Sequence, residues 1–380
     1  MNAFVIGAAT TKFGELWSIS PRTLAGEAFE NALKDSKISK GRIEALFVGN
    51  MLSGILGGQE HLGALFAEEL ELPNIPAFHI EGACASGGLA VHAAVNSVLS
   101  GRYRTVVAIG VEKMTDYKPE VVSEALMAAG SDEERSSGVT FPGLYAILAR
   151  AYMEKYRVTE RELASVSVKN HYHASLNPNA QFHNVLTIDA VVKSSLVADP
   201  LRLLECSPVS DGASALIVTS ESKGVKIVAS EVATDSLGLA QRESLTELKA
   251  TQVAVRKAYK KSGLGPKDID IAEVHDCFSI AEIMALEDLG FFAKGKAGDA
   301  ILKGEITLGS SQHLVINTSG GLKGAGHPVG ATGVKQIVEV VDQLKGRAGV
   351  RQVKGAKVGL TQNVGGSGAT AVIHILKKYD

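Results

Sequence analysis

The chain has 380 residues, a formal net charge of −2, and 45% apolar against 21% charged residues. These values describe a globular chain with room for a large core or two halves, and they exclude a strongly basic nucleic-acid surface or a long apolar membrane span. Three widely spaced cysteines make no disulfide framework and fit a reducing compartment; the excess is glycine, 40 residues clustered at 54–58, 82–88, 320–333 and 365–368.

The N-terminal stretch MNAFVIGAATTKFGE lacks a basic region followed by a long apolar core, so no signal peptide is expected. Leu24, Ala25, Ala28, Phe29, Ala32 and Leu33 share one face of a helix, which runs through a turn into the strand-like ALFVGN. EGACASGGLA then places Cys84 after a glycine and before a helical run, Leu89 to Leu99. A thiol there feels the positive end of the helix dipole, which favours thiolate, and Gly87 and Gly88 would let a ligand approach the backbone. The alternative is a small buried hydrophobe. After the strand TVVAIG come the helical stretches LYAILARAYMEKY and RELASVSVKNHYHA, the second carrying His171 and His173 on an expected surface helix. SDEERSS reads as a solvated loop, and Cys206, in LLECSPVSDGASA, as a buried thiol before a core strand.

The second half repeats the first. Residues 32–50 align without gaps on 258–276, an offset of 226 residues, and the apolar face Ala250, Ala254, Val255, Ala258, Tyr259 matches the first helix. CASGGLAV (84–91) stands opposite HPVGATGV (327–334), offset 243, and TVVAIG opposite KVGLTQ, offset 252. DGASALIV (211–218) then matches SGATAVIH (367–374) at an offset of 156, which leaves 96 residues of the first half without a counterpart. Two α/β halves of mainly parallel character follow, divided as 1–111 with 211–223 and 224–380, with 112–210 inserted as a lobe over the site.

The strand Ile271–Val274 ends in HDCF, so His275 and Cys277 stand at a strand's C-terminal end, where sites gather, and point the same way. Metal ligation, redox pairing with Cys84, proton transfer and plain packing all remain open for them, although no CxxC or HxxxH completes a zinc set. NTSGGLKGAGHPVGATG is a glycine-rich loop opening a helix, suited to a phosphate or thioester but neither a P-loop nor a Rossmann fingerprint. The repeat puts His327 where the first half has Cys84. Two helix starts related by an internal two-fold can face one cavity, and a histidine facing a cysteine is an activated-nucleophile arrangement.

Together TTKFGE, GACASGG, GVEKM, SDGASA, HDCF, NTSGGLKGAGHPVGATG and NVGGSGA resemble the thiolase superfamily over essentially the whole chain, most closely thiolases of the sterol-carrier-protein type and their archaeal acetoacetyl-CoA relatives. The resemblance implies a five-layered α-β-α-β-α fold from two halves with an inserted loop domain. It implies reversible Claisen condensation of two acyl-CoA to 3-ketoacyl-CoA and CoA, with coenzyme A thioesters as substrates, no cofactor and no metal. Cys84 becomes the acylated nucleophile, His327 its activator, and the backbone N–H groups of Cys84 and Gly365 an oxyanion hole. His275 stands where most thiolases carry asparagine. Asn363 occupies the place of the usual second cysteine, and Cys277 takes over its proton transfer. Ser319, Gly320 and Gly326 are candidates for the substrate loop. The expected ligands are acetyl-CoA and acetoacetyl-CoA, and the expected assembly a homodimer or homotetramer, with hydroxymethylglutaryl-CoA synthase and a small OB-fold zinc protein as candidate partners. Neither nucleic acid nor membrane is expected. ILKKYD differs from the SKL peroxisomal address, so a cytoplasmic mevalonate-pathway enzyme is the favoured expectation. Rivals are a degradative thiolase, a ketoacyl or hydroxymethylglutaryl-CoA synthase, which needs no second cysteine, and a non-catalytic scaffold.

Overall fold

The structure, a computed structural model, describes residues 1–311 and 313–379. Its strands are β1 (Ala3–Thr10), β2 (Leu46–Gly49), β3 (Ala77–Ile80), β4 (Thr105–Glu112), β5 (Leu196–Ala198), β6 (Leu201–Arg202), β7 (Gly212–Thr219), β8 (Val225–Thr234), β9 (Ile271–Glu273), β10 (Val315–Ile316), β11 (Val358–Gly365) and β12 (Thr370–Lys378). β5 and β6 pair with each other; the other ten form one sheet in the order β10-β9-β11-β12-β8-β1-β7-β4-β2-β3. That order is two five-stranded sets meeting edge to edge. They join where Ala3, Phe4 and Val5 pair with β8.

Each set repeats the other. β2 lies parallel to β3 and β4, as β9 lies parallel to β10 and β11. β7 is antiparallel to β4 and β1, as β12 is to β11 and β8. The expectation of mainly parallel sheets is therefore corrected to a mixed one. The cause is local: β11 turns straight back into β12, with Gly365 opposite Thr370, and β7 returns along β4 in the same sense.

The helix Pro21–Ser36 covers the outer face of β1 and β7, and Lys249–Ser262 covers β8 and β12. Ser86–Leu99 and Val329–Leu344 pack on each other between the two sets, giving five layers. Strand β4 shows why its sequence is a continuous apolar run. Val106 and Ala108 join the core of the central helices, while Val107, Ile109 and Val111 join that of the outer one. At the crossing of the central helices a Cβ on Gly87 would stand 2.5 Å from the Gly330 carbonyl oxygen, and one on Gly333 2.2 Å from the Gly88 nitrogen. Gly87 thus makes room for the partner helix, and Gly88, whose Cβ would lie 2.8 Å from Asn363 Oδ1, for the Asn363 side chain, rather than for a ligand.

The chain leaves the sheet after β4 and rejoins it at β7, where Glu112 pairs with Gly212. Asp211 closes the neck. Its carboxylate accepts the Met114 N–H at 2.7 Å, the Thr115 N–H at 2.9 Å and Lys113 Nζ at 2.7 Å. Two expectations for the intervening segment fail. SDEERSS contains a helical turn, Asp132–Ser136, started by a capping box between Ser131 and Glu134. The helix Glu160–Ser175 is not a surface helix, because Ala297–Leu302 and Gly321–Ala325 pack over it. His171 and His173 are buried, and His173 is a satisfied core histidine between the Asn317 carbonyl (3.0 Å) and the Leu308 N–H (2.9 Å).

Candidate active site

The two central helices begin side by side, and the residues just ahead of them meet. The thiol of Cys84 and a ring nitrogen each from His275 and His327 all lie within 4.8 Å of one another. The imidazoles stand edge to face, centroids 5.1 Å apart. Cys84 precedes the helix Ser86–Leu99 in a single turn, Ala83–Ala85, whose first residue has φ of +53°. That left-handed backbone is costly for a residue with a Cβ and is held here by the Ser86 hydroxyl, which donates to the Ala83 carbonyl at 2.6 Å. His327 follows Gly326, with φ of +104°, and its N–H is fixed by the Ser210 hydroxyl at 2.9 Å.

Hydrogen bonds assign the ring protons. The single Thr332 hydroxyl proton goes to the Pro328 carbonyl (2.9 Å), so at 2.7 Å Thr332 Oγ1 accepts from His327 Nδ1. His327 Nε2 is then an unprotonated base. Asn363 is oriented by the Gly88 N–H, which donates to its Oδ1 at 3.1 Å; its Nδ2 donates to the Cys84 carbonyl (3.0 Å) and faces His275 Nδ1 (3.2 Å). His275 Nδ1 therefore accepts, and its Nε2 carries the proton. The two histidines stand in opposite tautomers, one a base and one a donor.

Burial drives the charges of this cluster toward neutrality. It pushes the Cys84 thiol up, aided by Cys277 and Glu112, against the opposing pull of the nearby backbone amides of Gly366 and of Cys84 itself. The helix-start thiolate expected from sequence is thus outweighed by desolvation. Burial and the Lys335 ammonium lower His327 to about 3, and burial, His327 and Lys335 hold His275 well below the usual imidazole value. Burial raises Cys277 to about 12. Of the glycine pair, Gly366, next to the expected Gly365, lines the cavity beside Cys84.

HDCF and the glycine-rich loop lock together. Asp276 accepts from the N–H groups of Leu322 (2.7 Å) and Lys323 (3.3 Å) at the start of the helical turn Gly321–Ala325. A Cβ on Gly321 would lie 2.4 Å from the Asp276 carboxylate, which explains the glycine. Ser319 donates through N–H (3.0 Å) and Oγ (2.5 Å) to Glu273 and contacts Lys335. Ser319 and Gly320 are buried, Gly320 against Ala174, and Gly326 packs near Gln181 and Ser210. These three shape the loop from within and do not line the cavity beside Cys84.

That cavity, about 190 Å³, is lined by Cys84, Cys206, Cys277, His327 and Gly366 and by apolar side chains including Met114, Val122, Leu126, Phe141 and Tyr145. Cys206 is therefore half-buried at the site rather than in the core, and all three cysteines are free thiols. His275 and Cys277 part company: β9 ends at Glu273, so the two side chains no longer follow strand alternation, and Cys277 alone reaches the cavity. Sequence reasoning missed Thr332, Lys335 and Tyr145, and it placed Asn363 at the usual second-cysteine position without showing its contacts with Cys84 and His275. Thr332 sits within the quoted HPVGATGV and Asn363 beside the glycine pair 365–366, so both were in view without a sign of what they touch.

The doubled fold, with a cysteine and a histidine at its paired central helix starts, defines the thiolase-fold class of enzymes. The thiolase N-terminal domain family matches residues 3–222, and the thiolase C-terminal domain-like family residues 231–378. An acetyl-CoA acetyltransferase of Methanothermobacter thermautotrophicus is 46% identical across 98% of this chain and 99% of that protein. Sterol carrier protein 2 of Rattus norvegicus is 36% identical across 98% of this chain and 71% of its own length. A solved structure titled Ltp2-ChsH2(DUF35) aldolase superposes with a TM-score of 0.84 at 25% identity, covering 99% of this chain and 98% of its own. The chain belongs to the thiolase family and is an acyltransferase of that family. Among the described residues no helix is long and apolar enough to cross a membrane.

Proposed function

We propose that the protein catalyses the reversible condensation of two acetyl-CoA to acetoacetyl-CoA and CoA through an acetyl group on Cys84. The observation that carries this reading is the meeting of Cys84, His275 and His327 within 4.8 Å, beside a cavity that also exposes Cys277. His327 Nε2 takes the Cys84 proton and the sulfur attacks the first thioester, whose oxyanion meets the amides of Cys84 and Gly366. The leaving CoA thiolate takes that proton from His327, and His327 Nε2, neutral again, then draws the proton from Cys277. That leaves a Cys277 thiolate and a His327 imidazolium, an ion pair built from two groups that are neutral at rest. The thiolate removes the α-proton of the second acetyl-CoA while His275 Nε2–H steadies the enolate oxygen. The enolate carbon attacks acetyl-Cys84, and the departing Cys84 sulfur recovers its proton from His327. One proton has moved from carbon to CoA, so the cycle balances without a cofactor.

The deciding experiment separates the two half-reactions. Cys277→Ala should still be acetylated on Cys84 by acetyl-CoA, seen by intact mass and peptide mapping, and should lose acetoacetyl-CoA formation by roughly 10² or more. Near wild-type condensation in that variant would falsify the role of Cys277. A decarboxylating condensing enzyme needs no second cysteine, so the same variant tests that rival.

The acetyl preference rests on the 46% identical acetyltransferase and the small apolar cavity. Condensation runs uphill, so we place the enzyme ahead of a reaction that consumes acetoacetyl-CoA, as in mevalonate synthesis. A cytoplasmic homodimer or homotetramer handing its product to hydroxymethylglutaryl-CoA synthase, bridged by a small OB-fold zinc protein, accords with that position. Gentle isolation from the native cell that yields a clean homo-oligomer without a synthase counts against the partnership.

A further inference from the structure

Tyr145 enters the cavity from the inserted segment, on the helix Phe141–Tyr156, and no motif marks it. It is almost fully buried. Its ring stacks on Phe278, the neighbour of Cys277, with centroids 4.6 Å apart and planes at 28°. Its hydroxyl donates to the Gly366 carbonyl at 3.1 Å. Gly366 has φ of +61° and lines the cavity together with Cys84. Tyr145 and Cys277 line the same cavity, and the phenol favours the charged form of that thiol. The hydroxyl proton is held by the Gly366 carbonyl at rest, and the Cys277 sulfur, on the same cavity wall beside Phe278, becomes a competing acceptor once it is a thiolate.

We propose that Tyr145 is a positioning residue for the carbon–carbon bond-forming half of the reaction, its hydroxyl swinging from the Gly366 carbonyl to the Cys277 sulfur whenever Cys277 has given up its proton. No bond to carbon is made or broken by the phenol and it keeps its proton; only the acceptor changes. A phenol donor to a thiolate is a hydrogen bond to a charged group, the stronger kind, whereas its bond to a peptide carbonyl is of the ordinary kind. The swing therefore favours the thiolate. It also makes the inserted segment part of the chemistry rather than a cover over it. The proposal rests on the reading of Cys277 as the base.

The test uses the full-length protein and three readouts. Tyr145→Phe should acetylate Cys84 at close to the wild-type rate and form acetoacetyl-CoA roughly tenfold more slowly, the effect of one hydrogen bond to a charged group. Iodoacetamide labelling of Cys277 at mildly alkaline pH, followed by peptide mass, reads the thiolate population and should slow by a similar factor. Fluorotyrosine placed at position 145 keeps the fold and shape but makes the hydroxyl a stronger donor, so it should speed that labelling. This opposite sign separates donation from packing even if Tyr145→Phe folds poorly. Labelling unchanged by either substitution, or acetylation falling together with condensation, overturns the proposal. Labelling that shifts as expected while Cys277→Ala condenses normally would leave the contact standing and sink only the base assignment.

Discussion

The first-half helix Ser86–Leu99 and the second-half helix Val329–Leu344 begin at matching places in the repeat, yet the chain enters them differently. Ahead of the first, Ala83 takes a left-handed backbone that a side chain resists, and Cys84 follows. Ahead of the second, Gly326 takes a left-handed turn at no such cost, and His327 and Pro328 follow. The environment they share is dry, and it acts on the two residues with opposite signs. Desolvation raises the thiol and lowers the imidazole, so both rest uncharged. The duplication has thus set a thiol and an imidazole at matching helix starts beside the same cavity, and in the proposed mechanism the proton between them becomes mobile only when a substrate carbonyl is ready to take the charge.

The bluntest way to break this comparison is to remove the first-half member. Cys84→Ala should abolish acetylation by acetyl-CoA and lower condensation by about 10⁴ or more, the scale of losing a nucleophile. An acetyl adduct surviving in that variant, detected by intact mass, would put the chemistry on Cys206 or Cys277. Removing the second-half member should cost less, since water can carry the proton poorly but not at all as well as a fixed base: His327→Ala is expected to slow acetylation by about 10² to 10⁴. The sign of the histidine shift adds a pH test. An ordinary imidazole loses its base function as pH falls through its usual value, whereas His327, lowered to about 3, stays a base well below that. The acetylation rate should therefore hold nearly constant between about pH 8 and pH 5, where an unperturbed histidine would lose most of its base form. A steep fall across that range contradicts the buried, neutral pair.

How far these roles were legible in the sequence depends on whether a residue's partner lies inside its own motif. The duplication, the helix starts and the pairing of Cys84 with His327 could be read because offsets carry register and register carries geometry. The glycines at 87, 88, 330 and 333 could be seen but not understood, since their meaning lies in atoms distant in sequence: the backbone of the other half for Gly87, Gly330 and Gly333, and the Asn363 side chain for Gly88. His171 and His173 were misplaced because an amphipathic pattern shows which face is apolar, not whether a later segment covers the polar one. Tyr145 was invisible for the same reason: its partners, Gly366 and Cys277, lie more than a hundred residues away on other elements.

The glycine contact offers a subtler break, one that spares every reacting atom. Gly333→Ala would set a Cβ 2.2 Å from both the Gly88 nitrogen and Asn363 Oδ1, so backbone as well as the Asn363 side chain must move. We expect a loss of about 3 kcal/mol, at the upper end of overpacking, measured by denaturant unfolding. Gly57→Ala, whose Cβ meets nothing within 4 Å, is the control and should change stability little. Equal effects at the two positions would mean that the central helices are not in close contact.

The smallest effect concerns the group that ties the two halves together. Glu112, at the end of β4, accepts the N–H groups of Met51 (3.0 Å) and Leu52 (3.2 Å), the Asn50 amide (2.7 Å) and, across the repeat, the N–H of Gly330 (3.1 Å). Two influences oppose each other there. Burial disfavours the charge and the four donors favour it, and burial prevails, raising the carboxyl to about 7. A carboxyl raised above its unfolded value contributes stability that is full below the unfolded value and lost as pH rises through the folded one. The melting temperature should therefore fall between about pH 5 and pH 8, by the equivalent of roughly 1–3 kcal/mol. Glu112→Gln should be less stable at every pH, because its NH2 faces N–H donors, but that part of the slope should vanish. If the wild type melts at the same temperature on both sides of neutrality, the four donors hold Glu112 ionised. The tie between the halves would then be a permanent buried carboxylate, and Gly330, at the start of the His327 helix, would be anchored to a full negative charge.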